Sequence, residues 1–231
     1  MLSIVYDNRG ENSSMQPDWG FGCLIEGFSE TVLFDTGADG SILLNNMRCL
    51  DIEPSDIDVI VLSHDHWDHT GGLERVLKLN PDVTVYMPQV FPPHLKATAR
   101  TGGADVVETV GGTKICPGLS TTPVLEGRRP EQGLSVSPGG THLLVTGCAH
   151  PGITDMVESV EVPVDACLGG FHLKDAVPDA VQNTIQKLNR LGVQRVGPCH
   201  CSGNRAREMM REQFGNGYKE AVLGRRLPLG D

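Results

Sequence analysis

Ser63-His64-Asp65-His66-Trp67-Asp68-His69-Thr70-Gly71-Gly72 packs three histidines and two aspartates into the six positions 64–69. The run before it, Ile57-Asp58-Val59-Ile60-Val61-Leu62, reads as a buried strand. The cluster therefore sits on a tight loop at a strand end, rigidly presented. Imidazole nitrogens and carboxylate oxygens are the ligands that zinc and similar first-row ions prefer. A lone buried histidine is satisfied by a hydrogen bond, whereas three beside two acids are costly to bury without a cation. An ordinary polar surface loop has no need of this histidine density beside a strand and a Gly-Gly pair.

Length and composition agree with a soluble α/β protein. A chain of 231 residues can bury a full core as one domain spanning 1–231. Hydrophobic residues make up 39% and aromatics 5%, so the core is mainly aliphatic. The formal charge of −10 repels polyphosphate backbones, which argues against nucleic acid as a partner and points to a small-molecule substrate. No apolar run approaches the ~20 residues of a membrane span. Met1-Leu2-Ser3-Ile4-Val5-Tyr6-Asp7-Asn8 lacks the basic-then-apolar order of a signal peptide. Seven cysteines without framework spacing read as reduced thiols, which places the protein in the cytoplasm. The oligomeric state is left open.

Strands and helices alternate. Strands are expected at Ser3 to Tyr6, Gly22 to Glu26, Thr31 to Phe34, Val59 to Leu62, Val83 to Tyr86, Leu134 to Ser137, His142 to Thr146, Ala166 to Leu168 and Arg195 to Gly197. Helices are expected at Ser41 to Cys49, Gly72 to Leu79, Gly152 to Glu158, Pro178 to Leu191 and Asn204 to Phe214. The helix from Pro178 has proline at its start, apolar Val181, Ile185 and Leu188 on one face, and Gly192 after its end. The Gly/Pro/Thr-rich stretch from Phe91 to Arg129 resists assignment and is a candidate cleft lining. Alternating elements imply an α/β layered fold.

His64, His66, Asp68 and His69 resemble the His-x-His-x-Asp-His signature of the metallo-β-lactamase superfamily. Val32-Leu33-Phe34-Asp35-Thr36-Gly37 looks like its first motif, and strands ending at His150 and His200 look like its later ones. The resemblance runs from about Leu24 to about Phe214. It implies a four-layer αβ/βα sandwich, two mixed sheets face to face with helices outside. It also implies one or two divalent metal ions, zinc foremost, with iron and manganese also suited to the ligands. His64, His66 and His150 would hold one ion and leave a position open for water. Asp68, His69 and His200 would hold an adjacent one, and two ions would share a bridging hydroxide. Asp35 would support the metal loop from behind, orienting its ligands.

One departure stands out. The superfamily places a bridging aspartate in a Gly-Asp turn, where this chain has Gly169-Gly170-Phe171-His172-Leu173. His172 either replaces the aspartate or faces substrate; with Asp68 it is a candidate catalytic residue. Asp165 lies at the wrong end of that strand, and Asp175 is a weaker candidate. His94 and His142 match no motif. Cys199 and Cys201 flank His200, and strand alternation would turn both away from it. Cys148 could share the face of His150, deeper in the core. The helix starts at Gly152, Ile153 and Gly203 offer backbone N–H groups to a phosphate or carboxylate. Arg205, Arg207 and Arg211 are expected on a solvated face, paired with Glu208 and Glu212.

Taken together, Asp7-Asn8, Gly22 to Glu26, Ser63 to Gly72, Gly147 to Ile153, Gly169 to Leu173 and Cys199 to Gly203 look like one branch of the superfamily. That branch contains the archaeal 7,8-dihydropterin-6-methyl-4-(β-D-ribofuranosyl)aminobenzene-5'-phosphate synthases of methanopterin biosynthesis. Two activities follow. In the first, a metal-activated hydroxide hydrolyses an ester or phosphoester of a small molecule. In the second, a transferase, the metals activate the diphosphate leaving group of a pterin and an arylamine attacks. The substrate in either case is small and, in the second, phosphorylated. A superfamily nuclease is disfavoured by the acidic balance.

Overall fold

The computed structural model describes residues 1–10 and 12–229. Its strands are β1 (Leu2–Tyr6), β2 (Gly22–Ile25), β3 (Val32–Phe34), β4 (Val59–Val61), β5 (Thr84–Pro88), β6 (Asp105–Thr109), β7 (Lys114–Cys116), β8 (Leu119–Thr121), β9 (Leu134–Val136), β10 (Leu143–Thr146), β11 (Ala166–Gly170), β12 (Arg195–Cys199) and β13 (Arg226–Leu227). Its α-helices are α1 (Gly40–Arg48), α2 (Trp67–Thr70), α3 (Leu73–Leu77), α4 (Pro93–Thr101), α5 (Ile153–Glu158), α6 (Pro178–Arg190) and α7 (Asn204–Phe214). One sheet runs in the order β13-β1-β2-β3-β4-β5-β6 and the other β12-β11-β10-β9-β8-β7. Both are mixed. Strands β3 to β6 are parallel neighbours, as are β10, β11 and β12, while β1–β2, β2–β3 and β8–β9–β10 pair antiparallel.

Side-chain alternation produces the layers. Val32, Phe34, Val59 and Val61 face inward and meet Leu134, Val136, Leu143 and Val145 of the opposing sheet. Their neighbours Leu33, Ile60 and Val85 face outward onto Leu43 and Met47 of α1, Val76 of α3 and Ala99 of α4. On the far side Leu144, Cys167 and Val196 meet Ile153 of α5, Ile185 of α6 and Met210 of α7. This is the expected αβ/βα sandwich. Central strands covered on both faces need continuous apolar runs, which is why Ile57 to Leu62 reads as it does.

The Phe91–Arg129 stretch holds more structure than its composition suggests. It contains α4, β6, β7 and β8. Only Ala99 of α4 is fully covered, so the helix shows little apolar periodicity. Phe91, Leu95 and Ala99 pack on the outer face of the first sheet, while residues from Gly112 to Pro123 line a cavity that contains none of the clustered histidines. The last part of the stretch does approach the histidine cluster, where Arg129 Nη1 lies 3.6 Å from Asp65 Oδ1. The histidine loop is also more regular than a tight loop, since Trp67–Thr70 forms the single turn of α2.

Helix α1 offers a direct test of local coding. Asp39 caps it, accepting from Ser41 N at 2.6 Å and Ile42 N at 3.2 Å. These backbone donors hold its carboxyl below the ordinary value of 3.8. A lowered folded value means the stabilisation is present above pH 3.8 and is lost as pH falls through the folded value. Asp39→Ala is expected to cost about 1 kcal/mol at pH 7, measured by urea unfolding. An unchanged midpoint would show that the cap contributes nothing.

Candidate metal centre

Five strands deliver their C-terminal ends to one place, the usual ligand edge of parallel sheets. Asp35 follows β3, Ser63 to His69 follow β4, Cys148 to His150 follow β10, His172 follows β11 and His200 follows β12. Gly71 and Gly72 lock the β4 loop against the β3 turn. A Cβ on Gly71 would stand 2.1 Å from the Ala38 carbonyl oxygen, and one on Gly72 would stand 2.2 Å from that of Thr36. The space is used by backbone hydrogen bonds, Thr36 N to His69 O at 2.8 Å and Gly71 N to Gly37 O at 2.9 Å. Asp35, Ala149, His172 and His200 adopt φ of 56°, 57°, 51° and 47°. Such left-handed residues cost about 1–3 kcal/mol each, and strain of this kind gathers at functional sites.

The expected ligands converge as two sets. Donor atoms of His64, His66 and His150 lie within 4.8 Å of one another, as do those of Asp68, His69 and His200. In the first set His64 Nε2 faces His66 Nδ1 at 3.1 Å. In the second, His69 Nε2 and His200 Nε2 are 3.2 Å apart, and Asp68 Oδ2 is 3.4 Å from His200 Nε2. The sets adjoin, with the His64 and His69 rings 4.2 Å apart between centroids. His172 is exposed at the rim, its ring 4.5 Å from that of His150. Gly152, Ile153 and Gly203 open α5 and α7 beside His150 and His200, and Asp155 in the first turn of α5 faces Gly152.

The residues around the rings decide whether a cation fits. His69 Nδ1 is 2.7 Å from Asp35 Oδ2, and His150 Nδ1 is 2.9 Å from Glu131 Oε2. Carboxylates only accept, so each Nδ1 carries the proton. The Ser63 hydroxyl donates to Asp35 at 2.7 Å and so accepts from His64 Nδ1 at 2.9 Å. His200 Nδ1 donates to Asn8 Oδ1 at 3.0 Å, while Asn8 Nδ2 donates back to the His200 carbonyl at 3.1 Å. With these four Nδ1–H groups occupied, the Nε2 atoms of His64, His69, His150 and His200 are left as acceptors, where His66 Nδ1 meets His64 Nε2 at 3.1 Å and Cys148 Sγ meets His69 Nε2 at 3.4 Å. This is the arrangement that metal-ligating histidines use to fix tautomer and orientation, and it suits a divalent cation.

Electrostatics divide the histidines: His64 is kept neutral, whereas His69 favours a second proton that a cation would have to displace. Burial drives His64 well below its ordinary value, keeping it neutral. Burial also opposes charge on His69, but Asp35, Asp68 and Glu131 outweigh it and raise that imidazole to about 9. Burial lifts Asp35 against the pull of His69 and Ser63. For Asp68, burial is overcome by the His200 hydrogen bond and the charges of His69 and His200, which hold the carboxyl below its usual range. Glu131, fully buried, is likewise held low by His64 and His150.

Asp35 lies where an orienting residue belongs. Asp165 accepts from His142 N at 2.8 Å at the opposite end of β11, remote from the centre. Three expectations change. Cys201 does not turn away from the site, because β12 ends at Cys199 and His200–Ser202 winds into a 3-10 turn that breaks strand alternation. Cys148 is not behind the site, since its Sγ is 3.4 Å from His69 Nε2. Arg207 is not on a solvated face. It is 3% exposed at its side chain and lies 3.8 Å from buried Asp7, which accepts from His200 N at 2.8 Å. Glu131 is the main supporting residue that the sequence reading misses. Its carboxylate also accepts from the backbone N–H of Cys148, Ala149 and His150 at 2.8–2.9 Å. Following Arg128-Arg129-Pro130, it reads as a surface acid.

Comparison with known proteins extends the picture. The family model described as the metallo-beta-lactamase superfamily matches residues 23–200. A 7,8-dihydropterin-6-methyl-4-(beta-D-ribofuranosyl)-aminobenzene-5'-phosphate synthase of Methanocaldococcus jannaschii is 30% identical over 278 aligned positions, covering 97% of this chain and 95% of that one. The crystal structure of a metal-dependent hydrolase of the beta-lactamase superfamily superposes with a TM-score of 0.81 at 25% identity, covering 100% and 99% of the two chains. A diphosphatase from the PhnP family shares the fold at TM-score 0.69 and 16% identity, over 98% and 95%.

Proposed function

The chain belongs to the metallo-β-lactamase superfamily, and from that we propose that it is a metal-dependent hydrolase of small anionic esters or phosphoesters. The observation that carries this reading is the convergence of six ligand-type side chains, four of them imidazoles whose Nδ1 is already engaged from outside. In it, His64, His66 and His150 hold one divalent ion and Asp68, His69 and His200 a second, with zinc best suited and iron or manganese also accommodated. Ions held there would supply Lewis acidity and make a water molecule acidic enough to attack near neutral pH. Asp35, Ser63, Glu131 and Asn8 keep the imidazoles aimed. Asp68, ionised and buried beside His69 and His200, accepts a proton from the attacking water. His172, on the exposed rim with its ring 4.5 Å from that of His150, faces the substrate.

A basic rim favours an anionic substrate. Lys174 Nζ lies 4.8 Å from the ring centre of Trp19, which itself packs 4.9 Å from the His200 ring. Arg129 pairs with Asp65 at 3.6 Å, and the charges of Arg129 and Arg128 reach His66 and His172. In a chain of formal charge −10, Lys174, Arg128 and Arg129 are the cations an anionic substrate would meet at the mouth of the centre. The full-length likeness to the Methanocaldococcus jannaschii synthase supports a second reading, transfer from a pterin diphosphate to an arylamine at the same site.

Protein purified without a nickel column should contain a bound divalent ion. It should release nitrophenolate from p-nitrophenyl or bis-p-nitrophenyl phosphate, lose that activity to a chelator and regain it with zinc. Coupling of a dihydropterin methyl diphosphate to an arylamine without ester hydrolysis would replace the hydrolase with the transferase. Metal-free protein that cannot be loaded would sink both.

A further inference from the structure

The turn that lacks the superfamily's aspartate faces sulfur. Cys148 follows β10, His172 follows β11 and Cys201 follows β12, so three neighbouring strand ends each contribute one side chain. The two Sγ atoms and a His172 ring nitrogen lie within 4.8 Å of one another. This group shares no residue with the His64/His66/His150 set or the Asp68/His69/His200 set, while Cys148 also stands within reach of His64 and His69 as an alternative third donor to them. Cys201 reaches it because residue 170 is glycine, where a Cβ would stand 2.7 Å from the Cys201 Sγ. Cys201 Sγ also lies 3.6 Å from the Cys148 carbonyl oxygen, which anchors the thiol against the β10 turn.

We propose that Cys148, His172 and Cys201 form a further, thiophilic cation site that takes a divalent ion such as zinc or cadmium, contiguous with the histidine–aspartate centre. Tetrahedral zinc with Zn–S of about 2.3 Å and Zn–N of about 2.0–2.1 Å sets its ligand atoms roughly 3.4–3.8 Å apart. Cys148 and Cys201 are buried while His172 is exposed, so the fourth position opens toward solvent, as in sites that admit a small ligand. His172 adopts its left-handed backbone at φ 51°, a conformation that needs support from its surroundings, and an ion tying it to two buried thiols supplies that support. Ligand softness separates this position from its neighbours, because two thiolates favour zinc and cadmium over the oxygen-seeking ions that an Asp–His set also accepts. The inference holds whichever reaction the centre performs.

The test is a Co²⁺ titration of the full chain, stripped with a chelator and kept reduced. Wild-type protein should develop thiolate-to-cobalt charge-transfer absorption in the near ultraviolet. Cys201→Ala should bind one equivalent fewer and lose that absorption, and His66→Ala should keep it. Absorption that never develops overturns the proposal. So does a Cys201→Ala protein with the same absorption and stoichiometry, which would place Cys148 alone in the His69 set. If the variants fail to fold, the ¹¹³Cd spectrum of the wild type decides. A resonance in the sulfur-ligated range supports the site, and only nitrogen- and oxygen-ligated resonances, or an S–S bond between the two cysteines in reduced protein, refute it.

Discussion

His66→Ala should leave the fold standing and remove metal and activity together. His66 precedes α2 and makes no capping hydrogen bond there, and its side chain is only partly covered. Its Nδ1 instead faces His64 Nε2 at 3.1 Å, a half-exposed hydrogen bond whose loss costs the fold little. Metal-free variant and metal-free wild type should therefore unfold within about 0.5 kcal/mol of each other. Loss of a direct ligand should weaken the ion in its set by more than the roughly 10–100-fold that losing an outer partner costs. Calorimetric metal titration and nitrophenyl phosphate turnover check this, and full metal content with full turnover in the variant would remove the basis for the centre.

Asp35→Ala should do the reverse and unfold the protein before it empties the site. Asp35 is fully buried and accepts from His69 Nδ1, the Ser63 N–H and the Ser63 hydroxyl, each at 2.7 Å. Alanine leaves three buried donors without an acceptor and an imidazole without its counter-charge. Breaking a buried charged pair on one side costs about 3–5 kcal/mol. Urea unfolding of the metal-free forms should show a loss of that order, with Asp35→Asn recovering part of it. Metal affinity in whatever folds should fall about 10–100-fold, because His69 no longer has a fixed tautomer. A loss under about 1 kcal/mol would mean that Ser63 and His69 find other partners.

Sequence reading picked out the side chains that converge, with Asp35 behind them, and missed most of what else surrounds them. His64, His66, Asp68 and His69 are legible because all four lie in one short segment, where spacing alone places them together. His150 and His200 are legible as strand ends. Helix α6 is found because Val181, Ile185 and Leu188 keep a clean helical period. Helix α4 is lost because it buries little. Glu131, which holds the turn after β10, carries no local mark of that role, since its partners lie 17–19 residues away in that turn. Asn8 and His200 are 192 residues apart. Asp7-Asn8 was visible as a family motif, but its bond to the His200 loop was not.

By itself the chain determined the strand-and-helix alternation, the aliphatic layers and the residues offered to a cation. These follow from near-neighbour periodicity, which operates over a few residues of chain. Tertiary structure alone decided which oxygen holds each imidazole, that Arg207 is buried against Asp7, and that Cys148 and Cys201 meet beside His172. Those outcomes depend on the register of strands in two sheets and on where each strand stops. One residue of strand end, Cys199 giving way to the His200–Ser202 turn, is enough to swing a thiol from the core to the site.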